Sequence, residues 1–124
     1  MKIYIPEQQD IFVLIKPEAD IMNNPEILTG REKLKVWGRG IYNHPGDNDK
    51  LLGVECNTLD YLFQQDIIDY FLIEADGAKQ KPIKVPAEYE PCIPERATTV
   101  LGVIGIDAIG NTLNEKIFHR VDIF

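Results

Sequence analysis

At 124 residues the chain is long enough for one compact domain and too short for two, so residues 1–124 are expected to form a single domain. Its 44% hydrophobic and 27% charged shares suit an ordinary globular protein, and no apolar run reaches bilayer-spanning length. The net charge of −7 argues against a nucleic-acid partner, because neutralising phosphates takes a clustered basic face. Met1–Pro6 carries no secretory h-region, so a cytoplasmic protein is expected.

The N-terminal half reads as short β segments. Candidates are Lys2–Ile5, then Ile11–Lys16 ending at Pro17, then Leu34–Tyr42 with bulges at Gly38 and Gly40. Asn23-Asn24-Pro25 is a turn signal, and Asn43–Lys50 is the clearest loop. Helix signals are weak in this half. Asn57 or Thr58 is expected to cap a helix running to Gln65, with Leu59, Leu62 and Phe63 on its apolar side.

Beyond the helix stand two unbroken apolar runs, Tyr70–Ile73 and Thr99–Gly105. Such runs predict strands buried on both faces of a parallel sheet. Each hands over to polar and glycine-rich residues at its C-terminal end, where open α/β sheets hold ligands. Between them Pro82, Pro86, Pro91 and Pro94 forbid a long crossover helix and predict an ordered irregular loop over the strand ends.

The chemistry-bearing candidates cluster in this region. Glu74 and Asp76 end the first apolar run with side chains on one side, the pattern of a magnesium-holding carboxylate pair, and Gly77 is expected to turn the chain after them. They are the candidate catalytic and metal residues. Lys79 and Lys84 are candidate anion contacts, and His119-Arg120 is a second polar pair suited to proton transfer and anion binding. Glu88 and Glu90 are expected to pair structurally with Lys84 or Arg96, and His44 reads as plain surface. Cys56 and Cys92 match no zinc spacing and are expected to be reduced. The chain contains no serine, which removes every serine-nucleophile mechanism, and it contains neither GxxxxGK[ST] nor GxGxxG.

Phe71–Arg120 resembles the YqeC-like family, described as selenium-dependent hydroxylase accessory proteins. The likeness lies in EADGA at Glu74–Ala78, KxxPxKxP at Lys79–Pro86 and EPxIP at Glu90–Pro94, then VxGxDAxG at Val103–Gly110 and HR at His119-Arg120. The first seventy residues match more loosely, through the KxYxP start. The resemblance implies an α/β, P-loop-NTPase-like three-layer fold with a mostly parallel sheet, incomplete here and carrying extra β structure in the N-terminal half. It further implies a maturation role for selenium-dependent molybdenum hydroxylases, with the hydroxylase or its cofactor-assembly proteins as partners.

The family's layout opens with a GxGGKTT phosphate loop and continues past HR to an NKxD-like element, and both are missing from this sequence. The chain is therefore expected to be the central portion of that layout, truncated and nucleotide-incompetent by itself. No cofactor is expected in it, while the complete protein would take a magnesium nucleotide. The strand edges left by the absent phosphate-loop strand are expected to pair directly or to form a homodimer. Two other functions fit the residues: a non-catalytic interaction module docking through the proline-rich loop, and a metal-dependent hydrolase using Glu74, Asp76 and His119.

Overall fold

The computed structural model describes residues 2–4, 11–30, 34–43, 45 and 49–124. Arg31, His44 and most of the tip of the 43–50 loop lie outside the described residues. Two compact units emerge, one of Met1–Ile73 with Pro94–Arg96, the other of Glu74–Ile93 with Ala97–Phe124. The first holds β1 (Lys2–Tyr4), β2 (Phe12–Ile15), α1 (Glu18–Asn23), β3 (Lys35–Gly38), β4 (Gly40–Tyr42), β5 (Lys50–Leu52) and α2 (Cys56–Phe63). The second holds β6 (Ile83–Lys84) and β7 (Phe118–His119).

In the first unit β2 and β3 pair in parallel, from Phe12 opposite Lys35 to Ile15 opposite Gly38. Parallel neighbours need a crossover. Here α1 and a 3₁₀ turn at Pro25–Leu28 provide it. Sequence reading missed α1, a six-residue helix preceded by Pro17 and lacking any capping side chain. What holds it is burial: Ile21 packs with Leu14 and Leu62, ringed by Ile27, Leu28, Trp37, Tyr61 and Phe71. Each fully buried aliphatic side chain contributes about 1.5–3 kcal/mol, enough to fix a helix too short to stand alone.

The stretch expected as one bulged strand, Leu34–Tyr42, breaks at Arg39 into two strands of different sheets. β3 joins β2, while β4 joins the antiparallel sheet ordered β1-β5-β4. The corner is tight, since a Cβ on Gly38 would lie 2.8 Å from Leu51 Cβ and 3.0 Å from the Leu52 carbonyl oxygen. Only glycine fits there.

The helix α2 starts one residue before the expected caps. Thr58 does not cap it; buried within the first turn, its hydroxyl donates to the Glu18 carboxylate. Glu18 also accepts from the Glu55 N–H at 3.2 Å, so a carboxylate from α1 meets the N-terminus of α2. A cap supplied from elsewhere in the chain has no local signature. Neither cysteine is a free thiol, against the expectation of reduced side chains; sequence spacing carried no information on that state.

The two apolar runs do not form strands. Tyr70–Ile73 and Thr99–Gly105 are irregular and largely open to solvent: Leu72 is 90% exposed and Leu101 81%, while Phe71 packs against the core of the first unit. An apolar run says that a segment would gain from cover; whether cover exists is a tertiary matter. The strands of the second unit lie elsewhere, with β6 parallel to β7 in the register Ile83 to Phe118 and Lys84 to His119. Ile83 N–H donates to Ile117 O at 3.3 Å and Val85 N–H to His119 O at 3.0 Å. Asn114 shapes the approach to β7 by accepting from Lys116 N–H at 2.9 Å and Ile117 N–H at 3.3 Å. Among the described residues no helix is long and apolar enough to cross a membrane.

Candidate functional site

The β6–β7 pair sets Lys84 directly beside His119, and so brings the proline-rich segment to the C-terminal His-Arg pair. Lys84 is the centre of what forms there. Its side chain is only 7% exposed, and its ammonium pairs with Asp76 and lies 2.7 Å from Glu90 Oε2. Glu90 is in turn gripped by the Arg120 guanidinium, one nitrogen on each carboxylate oxygen, with the Nη2–Oε1 distance 3.1 Å. The Ala87 N–H adds a third kind of donor to Glu90 at 3.2 Å. Asp76, Lys84, Glu90 and Arg120 thus form a chain of alternating charge that sums to zero.

Two local geometries aim these groups. Arg120 has φ 65°, a left-handed conformation that follows β7 and turns its side chain onto Glu90. Lys79 and Gln80 are also left-handed, with φ 53° and 59°, and Lys81 N–H closes their turn on Ala78 O at 3.0 Å. Left-handed residues other than glycine each cost of order 1 kcal/mol and persist only where the surroundings demand them. The turn expected at Gly77 therefore lies at Lys79-Gln80, beyond it.

Charge and burial act together on the titrating groups. The Glu90 carboxyl is held well below the usual carboxylate range, first by Arg120 and then by Lys84 and the Ala87 N–H. Arg120 is raised above its ordinary value by the same contact. Burial pushes His119 down, and the positive charges of Arg120, Lys79, Lys84 and Lys81 push it further. Partial desolvation raises Glu74, with Asp76 adding like-charge repulsion. The Glu74 carboxyl folds back over Gly77, its Oε1 3.6 Å from where a Cβ would stand.

Of the six residues singled out from sequence, Asp76, Lys84 and Arg120 meet in the network, with His119 paired beside Lys84. Lys79 is exposed at the left-handed turn, and Glu74 adjoins through charge. Glu90, expected only as a structural partner for Lys84 or Arg96, is the shared carboxylate of Lys84 and Arg120. The Arg96 backbone N–H instead donates to Asp60 at 2.8 Å in the first unit. Lys81 was passed over; it donates to Phe118 O at 3.3 Å and adds to the positive field on His119. The Lys84–Glu90 pair was legible from their closeness in sequence, but no local pattern marks the Arg120 contact of Glu90 or the Phe118 contact of Lys81, whose partners lie 30 and 37 residues away.

A magnesium ion at Asp76 would meet the Lys84 ammonium already in place. Among the described residues no three of His, Cys, Asp and Glu gather into a group able to hold a metal. The donor set around Asp76 thus does not suit a resident divalent cation.

Four separate sequence elements contribute to this one network: EADGA gives Asp76, KxxPxKxP gives Lys84, EPxIP gives Glu90 and HR gives Arg120. Comparison with known families gives a match to the YqeC protein family over residues 1–122. The chain belongs to the YqeC family. Its match covers the first seventy residues as well, beyond the loose likeness read there from sequence. It is similar to Uncharacterized protein YqeC of Escherichia coli strain K12, at 38% identity over 71 residues, which are 57% of this chain and 28% of that protein. The matched stretch thus spans less than a third of that relative's length. No solved structure matches.

Acid should weaken this YqeC-family centre through His119. Its folded-state affinity for a proton is depressed, so as pH falls through its ordinary value of 6.5 the unfolded chain takes up a proton that the folded chain refuses. Stability is then full above that value and declines below it. The urea midpoint of the second unit is expected to drop between about pH 7.5 and 5.5, and to drop less in His119→Gln. Equal drops in both proteins would remove His119 from the account.

Proposed function

We propose that this chain serves as an accessory protein in the maturation of selenium-dependent molybdenum hydroxylases, on a cytoplasmic scaffold related to P-loop NTPases. Family membership supports the reading. The observation that carries it is the meeting of four separated motif elements in the Asp76–Lys84–Glu90–Arg120 network. Lys84 and Arg120 are neutralised there by carboxylates, which leaves the exposed Lys79 as the cation available to an anion, with His119 beside Lys84 as a neutral hydrogen-bonding group. By itself the chain holds no magnesium nucleotide tightly, because its sequence offers no phosphate loop.

The docking version of this role has its own support. The network pins both ends of the segment from Lys84 to Glu90, and Tyr89 stands out of it 77% exposed. A rigidly held, exposed tyrosine flanked by Glu88 and Glu90 is the anchor expected of an interaction loop. Its partner in this reading is the hydroxylase or one of its cofactor-assembly proteins. The metal-dependent hydrolase alternative lacks a comparable observation.

Co-production of a selenium-dependent molybdenum hydroxylase with this chain, with its Tyr89→Ala variant, or without it tests the proposal. Hydroxylase turnover per bound molybdenum should fall roughly tenfold without the chain and fall clearly with the variant. Full turnover in the absence of the chain would overturn the accessory role. Calorimetry on the same preparation should show no tight magnesium-nucleotide binding.

A further inference from the structure

Where the chain returns to the first unit after Ile93, it stays for three residues, Pro94–Arg96. Pro94 is buried, and having no N–H it leaves no donor unpaired there. The two N–H groups that follow are both taken by one carboxylate of α2. Glu95 N–H donates to Asp60 Oδ2 at 3.1 Å and Arg96 N–H to Asp60 Oδ1 at 2.8 Å. Gln64 stands four residues on, along the same side of the helix. With its amide oxygen turned to the guanidinium it accepts from Arg96 Nε at 3.0 Å and from Nη2 at 3.3 Å. Asp60 lies in the last turn of α2, where a negative side chain opposes the helix dipole. What that position contributes is the grip on residues 94–96.

That grip is local. Among the described residues, no backbone–backbone hydrogen bond of the loops and turns involves residues 93–104. Such bonding stops at Cys92, whose N–H donates to Ala75 O at 3.2 Å, and resumes at Gly105, whose N–H donates to Pro82 O at 2.8 Å. Both hydrogen bonds to Asp60 are exposed to solvent. A segment fastened by exposed hydrogen bonds and one buried ring belongs to the low-stability end of a fold, the part that opens while the rest stays folded.

We propose that Pro94–Arg96 is a releasable strap on α2, with Asp60 as its clasp, and that its opening presents the Arg96–Ala97 bond to an arginine-specific protease. While the strap is closed, the Arg96 N–H is held by Asp60 and the guanidinium by Gln64, so neither is free to enter a protease cleft. Opening frees both groups in one step, because the two holding side chains act on the same residue. The device stands apart from the charge network of the second unit and from any role in hydroxylase maturation.

Limited trypsin digestion of this chain, read by mass spectrometry and paired with amide hydrogen exchange, tests the strap. Cleavage follows the population of the open form when opening and closing are fast. Losing two hydrogen bonds to a carboxylate at an exposed site should therefore speed cutting after Arg96 by roughly tenfold to a hundredfold in Asp60→Ala. Gln64→Ala should speed it less, since the backbone clasp remains. Hydrogen exchange should rise at Glu95 and Arg96 and stay unchanged within α2, because alanine is the better helix former. Lys116 is exposed outside the strap, and cutting after it should be no faster than in the unaltered chain. Equal cutting after Arg96 with and without Asp60 would overturn the proposal. So would a parallel rise after Lys116 or in α2 exchange, because either would mean that the fold loosens as a whole.

Discussion

Lys84→Met should destabilise the second unit by about 2–3 kcal/mol, measured as the loss in urea-unfolding free energy at neutral pH. One ammonium, nearly out of solvent, serves two carboxylates: it pairs with Asp76 and sits 2.7 Å from Glu90. Removing it leaves Asp76 without that partner and sets two negative charges around an apolar side chain. Glu90 keeps Arg120, and both carboxylates retain about a fifth of their exposure, so water recovers part of the loss. That places the effect below the figure for a wholly buried pair. The Arg39–Glu55 pair in the first unit is the internal control. Its distance is the same 2.7 Å, but its side chains are 44% and 57% exposed, so Arg39→Met should cost no more than about 0.5 kcal/mol. Equal effects at the two sites would mean that distance, not solvent exclusion, sets the energy.

Gly38→Ala is expected to cost the first unit about 1–3 kcal/mol in thermal or urea unfolding, although it adds only a methyl group. That methyl would lie 2.8 Å from Leu51 Cβ and 3.0 Å from the Leu52 carbonyl oxygen, and neither can yield alone. Leu51 is 1% exposed at the centre of the β1-β5-β4 sheet, and the Leu52 oxygen accepts from Arg39 N–H at 3.0 Å. Relief would have to part the two sheets at the corner where the chain leaves one for the other. Gly40 offers a graded comparison, because a Cβ there would stand 3.3 Å from the tip of the Leu52 side chain, which can rotate. Gly40→Ala should be the milder change; the reverse order would show that the corner is not where the sheets are locked.

Much of the first unit was legible in the sequence. Phe12–Ile15 and the β character of Leu34–Tyr42 announce themselves by β-branched and aromatic side chains, and α2 by its apolar side, although the division of Leu34–Tyr42 between two sheets did not show. The misses share a cause. The helix α1 has no capping side chain, and the cap of α2 is Glu18, 37 residues from the Glu55 N–H that it accepts. β6 and β7 are two residues each, too short to show a period. The two apolar runs mislead for the converse reason, since hydrophobicity reports an appetite for burial and not a neighbour that meets it.

The sequence by itself determined which chemistry-bearing residues these 124 positions hold. It shows no serine and no phosphate-loop motif among its 124 residues, gathers the acidic, basic and proline-rich elements of the YqeC family, and marks Glu74, Asp76, Lys79, Lys84, His119 and Arg120 as residues of interest. Only the tertiary structure decided how those charges are used. It spends Lys84 and Arg120 on Asp76 and Glu90, moves the turn from Gly77 to two left-handed residues, and leaves Thr99–Gly105 open to solvent. Ion pairing depends on distance and solvent exclusion between groups far apart along the chain, quantities that residue order does not contain.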